Sequence, residues 1–82
     1  MIIYPKVKSV KVFKGTSLEI IFEGDIKRIY NCYKIMQKEP FNCLQDKTLF
    51  KNVRVDSGGY GILWNNYIDL SESELWTHGK NI

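Results

Sequence analysis

The sequence predicts a small α+β domain, in which an antiparallel sheet, made of a hairpin plus a three-stranded meander, packs with short helices. Three observations support this fold class. Leu18, Ile20 and Phe22 recur at a period of two before a small turn, and three short apolar runs follow one another over residues 53–70. Residues 71–79 carry the signals of a capped C-terminal helix that packs on the sheet. The 82 residues are expected to form a single domain, 1–82, at the small end of what folds alone.

The first strand is predicted in the stretch VKSVKVFKG. Val10 and Val12 are expected to share one face, because side chains alternate along a strand. Val7 and Phe13 should lie on the opposite face. The lysines between them then occupy exposed positions, which also protect an edge strand from pairing with another chain.

A hairpin is predicted next, in LEIIFEGDIKRIYN. Leu18, Ile20 and Phe22 line one face at a period of two. Gly24-Asp25 is expected to form a two-residue turn, because glycine accepts a positive φ. This turn would pair Ile20 with Ile29. Both faces of the hairpin carry apolar side chains, so we expect something to cover part of the second face.

The middle of the chain loses the strand alternation. Pro40 prevents a long helix there, and a short irregular or helical piece is predicted over residues 32–37. A second short helix is predicted over residues 46–51, with Asp46 as its N-cap. The side chains expected to face the core from this region are Leu44, Leu49 and Phe50.

The stretch NVRVDSGGYGILWNNYIDL is interpreted as a three-stranded meander. Ser57-Gly58-Gly59 and Asn65-Asn66 supply its two turns, because glycine and asparagine tolerate left-handed backbone conformations. The spacing SGGYG matches neither common phosphate-binding pattern, and it leads into a strand rather than a helix. Gly61, inside the second strand, indicates a bulge or a close backbone approach.

The last helix has the clearest local signal. Ser71 is followed three residues later by Glu74, which is a capping box. The helix is predicted to run from about residue 72 to residue 78, with Leu75 docked on the sheet. Gly79 is expected to end the helix in a left-handed conformation.

Composition restricts the function classes and the compartment. The net charge of +3 is a mild excess, and the two cysteines are too few for a small secreted disulfide scaffold. The first ten residues lack the pattern of a signal peptide, and no apolar run is long enough to span a membrane. We therefore expect a cytoplasmic protein with reduced thiols and no membrane association.

No residue stands out as catalytic, cofactor-binding or metal-binding, and we expect a protein that is not an enzyme and needs no cofactor. The chain has one histidine, His78, and its cysteines, Cys32 and Cys43, form no metal-ligand pattern. A thiol enzyme that uses Cys32 or Cys43 with His78 stays a third, weaker hypothesis, because no motif supports it.

Aromatic residues concentrate in the meander, where they indicate either core or an interface. Tyrosine and tryptophan anchor interfaces when part of the ring stays exposed. We favour core for Trp64 and leave Tyr60 open between the two. The candidate partner-binding residues are Arg54, Asp56, Tyr60, Trp64 and Tyr67.

The basic residues of the first half suggest an alternative, a weak nucleic-acid binder that uses a basic N-terminal strand face. A typical nucleic-acid binder has a denser basic stripe and a recognisable motif, so a solvated face is the simpler interpretation. The candidate residues for this alternative are Lys6, Lys8, Lys11, Lys14, Lys27 and Arg28.

The order of motifs resembles the bacterial domain-of-unknown-function family 2442 over almost the whole chain. The hairpin, Pro40-Phe41 with Leu44, Leu49-Phe50, Val53 to Asp56, Gly58-Gly59, Trp64 to Asn66 and Ile68 to Ser71 carry the resemblance. It implies a small α+β domain with an antiparallel sheet and assigns no catalytic residue. It also implies a short bacterial protein that is often encoded beside another small protein, an arrangement similar to toxin–antitoxin pairs.

Together these observations predict a protein-interaction or regulatory module, antitoxin-like, that binds a small partner protein. Some family members also carry a helix-turn-helix part, for which these 82 residues leave no room, so none is expected here. A second copy of the chain is a further expected partner, because a small core gains from burying an extra apolar patch.

Overall fold

The computed structural model describes residues 3–81, and it is an α+β fold with two antiparallel sheets. Strands β1, β2, β3 and β7 form the large sheet in that order, and β4, β5 and β6 form the small sheet. The bounds of the elements are β1 Val7–Val12, β2 Ser17–Phe22, β3 Ile26–Asn31, α1 Lys47–Lys51, β4 Arg54–Val55, β5 Gly61–Leu63, β6 Asp69–Ser71, α2 Glu72–His78 and β7 Lys80–Asn81. Hairpin, meander, short helices and C-terminal helix are therefore confirmed.

The large sheet packs one face on the core and leaves the other open. Leu18, Ile20 and Phe22 of β2 are fully buried, as their period of two predicts. The residues opposite them on β1 are Val12, Val10 and Val7. Val7 therefore faces the core with Val10 and Val12.

The expectation that Val7 lies on the opposite face with Phe13 is wrong for Val7. An irregularity between Val7 and Ser9 shifts the register by one residue, with Lys8 between them. A bulge of this kind restores an apolar residue to the core side after two consecutive exposed ones.

The predicted hairpin register is also wrong by one residue. Ile20 lies opposite Arg28, and Glu19 lies opposite Ile29. Gly24 and Asp25 do have positive φ angles, 83° and 60°, as a tight turn requires. The loop nevertheless has three residues, because Glu23 stays outside the ladder with β3 and donates its N–H to the carbonyl of Lys6 at 2.9 Å.

Between the two sheets the chain forms two short 3₁₀ segments, Ile35–Gln37 and Phe41–Gln45, and then α1. Asp46 caps α1 as predicted, since its carboxylate accepts from the N–H of Thr48 at 2.9 Å. Leu44 and Phe50 are buried, and Leu49 packs against the core with part of its surface exposed.

Helix α2 joins the two sheets. It begins directly after β6, and Ser71 Oγ accepts from the N–H of Glu74 at 3.2 Å. The expected left-handed end at Gly79 is wrong, because Gly79 has φ −74° and ψ 154°. The chain instead continues extended into β7, and a Cβ on Gly79 would clash with the carbonyl of Leu75. Glycine is needed here for close packing rather than for a left-handed turn.

Candidate functional site

The outward face of the small sheet is the first candidate surface. Val55, Ile62 and Leu70 form one cross-strand row, and they pack in or against the core. The next row, Arg54, Leu63 and Asp69, therefore points outward, because adjacent rows of a sheet face opposite sides. We call the outward surface of β4–β6, with the turns that border it, the small-sheet face.

A shallow cavity of about 350 Å³ lies on the small-sheet face. Gly61 belongs to its floor, where a Cβ would clash with the carbonyl of Leu70. The close approach predicted for Gly61 is thereby confirmed. The residues that line this cavity are Asp56, Tyr60, Gly61, Ile62, Leu63, Asn65, Asn66, Asp69, Leu70 and Ser71.

Asp56 holds Tyr60 at the rim of this cavity. Its Oδ1 accepts from the N–H of Gly58 at 3.1 Å and from the N–H of Tyr60 at 2.9 Å. The ring of Tyr60 is 56% exposed, with Lys6 Nζ 4.8 Å from its centroid. Asp56 is thus a structural acceptor that fixes the β4–β5 turn, and Tyr60 is a surface aromatic.

Tyr67 projects from the β5–β6 turn, and Asn65 holds that turn. Asn65 Oδ1 accepts from the N–H of Tyr67 at 2.8 Å and from the N–H of Ile68 at 3.0 Å. The side chain of Tyr67 is 87% exposed. Two hydrogen bonds to Asn65 hold the turn, and the aromatic side chain of Tyr67 is open to solvent.

Trp64 does not belong to any surface. It is 2% exposed, its ring stacks on Phe50 at 6.2 Å between centroids, and its Nε1–H donates to the carbonyl of Phe50 at 3.1 Å. The preference for Trp64 as core is confirmed, and its assignment as a partner-binding residue is wrong. Arg54 is exposed, and its Nη1 reaches the carbonyl of Asn52 at 3.4 Å.

The basic residues proposed for nucleic acid do not form one stripe. Lys8 pairs with Asp25 at 2.8 Å, while Lys11 and Lys27 lie 3.6 and 3.8 Å from the two oxygens of Glu19. The hydrogen bond to Asp25 raises the pKa of Lys8, and the same bond lowers the pKa of Asp25.

The remaining basic residues contact aromatic rings. Lys6 lies over Tyr60, Lys14 Nζ is 5.5 Å from the ring of Phe13, and Arg28 stacks 3.8 Å from the ring of Trp76. Arg28 lies opposite Ile20, on the core side of the sheet, whereas Lys11 lies opposite Glu19 on the open side. Lys6 and Lys14 lie outside the strands of the large sheet, so the six residues do not share one face.

A cluster of three titratable side chains lies between β3 and α2. Glu74 Oε2 accepts from the Tyr30 hydroxyl at 2.9 Å, and it lies 3.2 Å from Nδ1 of His78. Burial, and then the hydrogen bond to Glu74, raises the pKa of Tyr30 above its ordinary range. The i, i+4 spacing on a predicted helix indicates from the sequence that Glu74 and His78 lie side by side. Tyr30 is 44 residues away from Glu74 in sequence, so no local pattern indicates that it joins them.

A family model described as "Protein of unknown function (DUF2442)" matches residues 7–81. The chain belongs to this family. The resemblance noted from its motifs is thereby confirmed. Comparison with curated proteins yields no match, and neither does comparison with solved structures.

The two cysteines of this DUF2442 chain differ in environment. Cys32 is completely buried, and burial raises the pKa of its thiol to about 12, which disfavours the reactive thiolate. Cys43 is exposed, and its thiol lies 3.3 Å from the carbonyl of Pro40. The hypothesis of a thiol enzyme thus loses one of its two candidate nucleophiles.

Over residues 3–81 no group of three or more His, Cys, Asp or Glu side chains is placed to hold a metal ion. Within the same range, none of the helices of this DUF2442 chain has the length and apolar character needed to cross a membrane.

Proposed function

We propose that this DUF2442 protein is a non-enzymatic interaction module, antitoxin-like, that binds one small partner protein through the small-sheet face. The observation that carries the proposal is the pair of exposed tyrosines, Tyr60 and Tyr67, which project from hydrogen-bonded turns beside a cavity that Gly61 lines. Tyrosine contributes large contact area at low entropic cost, because only two torsions must be ordered. Arg54 and Asp69 add charges of opposite sign to the same surface.

The antitoxin-like role draws on the gene arrangement that the family resemblance implies, in which a second small protein is encoded alongside. We also place the interaction in the cytoplasm, which is supported by two free cysteines in a small domain.

The test is a tagged pull-down from the native host, treated with nuclease and washed at low and high salt, and read by mass spectrometry. We expect one small protein at a stoichiometry near one to one, retained at both salt concentrations. A hydrophobic interface resists salt, whereas contacts with phosphate weaken steeply as salt rises. Recovery of nucleic acid instead, only at low salt and without nuclease, would overturn the proposal and favour the lysine surface.

Variants show whether the captured protein uses the small-sheet face. Tyr60→Ala combined with Tyr67→Ala should reduce capture at least about tenfold, as expected for two interface anchors. The matched control is Phe13→Ala, because Phe13 is an aromatic residue that is 44% exposed and lies outside the small-sheet face. Equal losses for control and double variant would contradict the assignment of this surface, provided that circular dichroism shows both to be folded.

A further inference from the structure

A second cavity, of about 600 Å³, opens at the edge of the large sheet, and we call it the edge cavity. It shares no lining residue with the small-sheet face, so binding at the edge cavity is independent of the proposed function. Its volume lies within the range that small-molecule sites usually have. Its lining residues are Ser17, Ile29, Tyr30, Asn31, Tyr33, Lys34, Ile35, Glu74, His78 and Lys80.

The floor of the edge cavity is a length of β3 without a neighbouring strand. Strand β7 pairs only with Arg28 and Ile29, so the end of β3 is uncovered on that side. Cys32 donates its N–H to Thr16 at 2.8 Å, toward β2, and the backbone groups of Asn31 therefore point the opposite way. Asn31 lies opposite Ser17 of β2, and the pairing of β7 with β3 ends at Ile29, so the N–H and C=O of Asn31 lie beyond the last residue that β7 pairs. One donor and one acceptor thus face the cavity at the spacing of a strand residue.

The walls of the edge cavity combine apolar surface with positive charge. Ile29, Tyr33 and Ile35 supply the apolar part. Lys34 and Lys80 are exposed lysines of the lining. The single carboxylate of the lining, Glu74, already accepts from Tyr30 and lies beside His78. The lining therefore carries a net positive charge, and it favours an anionic ligand group.

We propose that the edge cavity binds a small carboxylate that carries a peptide-type amide and an apolar side chain. The amide bonds to the N–H and C=O of Asn31 at this uncovered edge, as an added strand residue would. The carboxylate lies near the lysines, and the apolar group packs against Tyr33 and Ile35. This chemistry is shared by a free N-acyl amino acid and by the C-terminal residue of a peptide.

The first experiment compares two probes, N-acetyl-leucine and its neutral amide. Binding is measured by calorimetry and by the chemical shifts of the protein's backbone amides. We expect the acid to bind about tenfold more tightly at low salt, with the largest shifts at Asn31 and Tyr33. The difference should shrink as salt rises, because the lysines are exposed. Equal affinities for the two probes, or shifts confined to other residues, would overturn the proposal.

Lysine variants then test which positive charges interact with the carboxylate of the ligand. Lys34→Ala and Lys80→Ala should each weaken binding of the acid by about threefold and leave the amide unchanged. Lys38→Ala is the matched control, because this exposed lysine follows the same 3₁₀ turn but lies outside the lining. A loss in the control as large as in the two variants would contradict the site.

A tetrapeptide that ends in leucine with a free carboxylate distinguishes the two sources of the ligand. If the peptide binds as tightly as N-acetyl-leucine, the cavity accepts chain termini. If the longer chain prevents binding, the ligand is a free acylated amino acid. Failure of both, at concentrations where a millimolar complex would form, overturns the proposal.

Discussion

The two sheets are ordered by different physical means. In the large sheet the strands β1–β3 have six residues each, and burial alternates along β2 at a period of two. In the small sheet the strands have two or three residues, too few for periodicity to determine pairing. Side-chain oxygens of Asp56 and Asn65 bind backbone N–H groups in its turns, and Gly61 permits close contact between strands. Alternating burial along long strands therefore orders the large sheet, whereas in the small sheet turn chemistry adds to the burial of Ile62 and Leu70.

The largest expected effect tests the large sheet. Ile20→Ala removes a fully buried side chain from β2 and should lower the free energy of unfolding by about 4 kcal/mol. Urea denaturation measures it. Ile21→Ala is the control on the open face of the same strand, for which about 1 kcal/mol is expected. Similar losses for both would mean that the open face is also covered.

The next effect tests the close approach in the small sheet. Gly61→Ala places a Cβ against the carbonyl of Leu70 and should cost about 3 kcal/mol, because backbone atoms must separate. Gly15→Ala is the control, since no atom lies within 4 Å of the added Cβ, and its positive φ alone costs about 1 kcal/mol. Thermal unfolding compares the two, and a smaller loss for Gly61→Ala than for Gly15→Ala would refute the close approach as the reason for this glycine.

A smaller effect tests the turn chemistry. Asp56→Ala removes the acceptor for two backbone N–H groups and should cost about 2 kcal/mol. Asp56→Asn keeps an oxygen acceptor, so it should cost less than about 1 kcal/mol. Hydrogen exchange at Gly58 and Tyr60 should accelerate in the alanine variant alone. Unchanged exchange there would show that the turn forms without the carboxylate.

The smallest effect concerns the buried thiol of Cys32, next to the large sheet. Burial raises the pKa of Cys32 from 9.0 to about 12, so the folded state retains a proton that the unfolded state releases. This contribution is complete below about pH 9 and is lost as pH rises toward 12, by about 1 kcal/mol per pH unit. Urea unfolding at about pH 8 and pH 10 should show a steeper decline for the native sequence than for Cys32→Ala. Equal slopes would mean that the thiol is hydrated.

The contrast between the sheets also explains how far the sequence predicts the fold. The buried face of β2 and the helix caps at Asp46 and Ser71 were predicted correctly, because each depends on residues that are close in sequence. The hairpin register and the side of Val7 were wrong, because a three-residue loop and a one-residue bulge each reverse the alternation.

Candidate surface residues were harder to assign. Tyr60 and Trp64 are both aromatic residues that flank β5, yet one is exposed and the other buried, because Phe50 from α1 covers only Trp64. The edge cavity had no sequence signal at all, since it depends on where β7 stops along β3. Long-range docking, rather than local pattern, decides such sites.

The attachment of α2 between β6 and β7 has a consequence for biosynthesis. The helix is bonded to the small sheet at its start, and the strand after it adds the fourth strand of the large sheet. A nascent chain that has emerged only through residue 68 therefore lacks an edge strand in each sheet. Its hairpin can form early, because its contacts are local, but the contacts of β3 with residues 74–81 must wait. Until translation supplies them, each incomplete sheet presents an open strand edge that can pair with another chain.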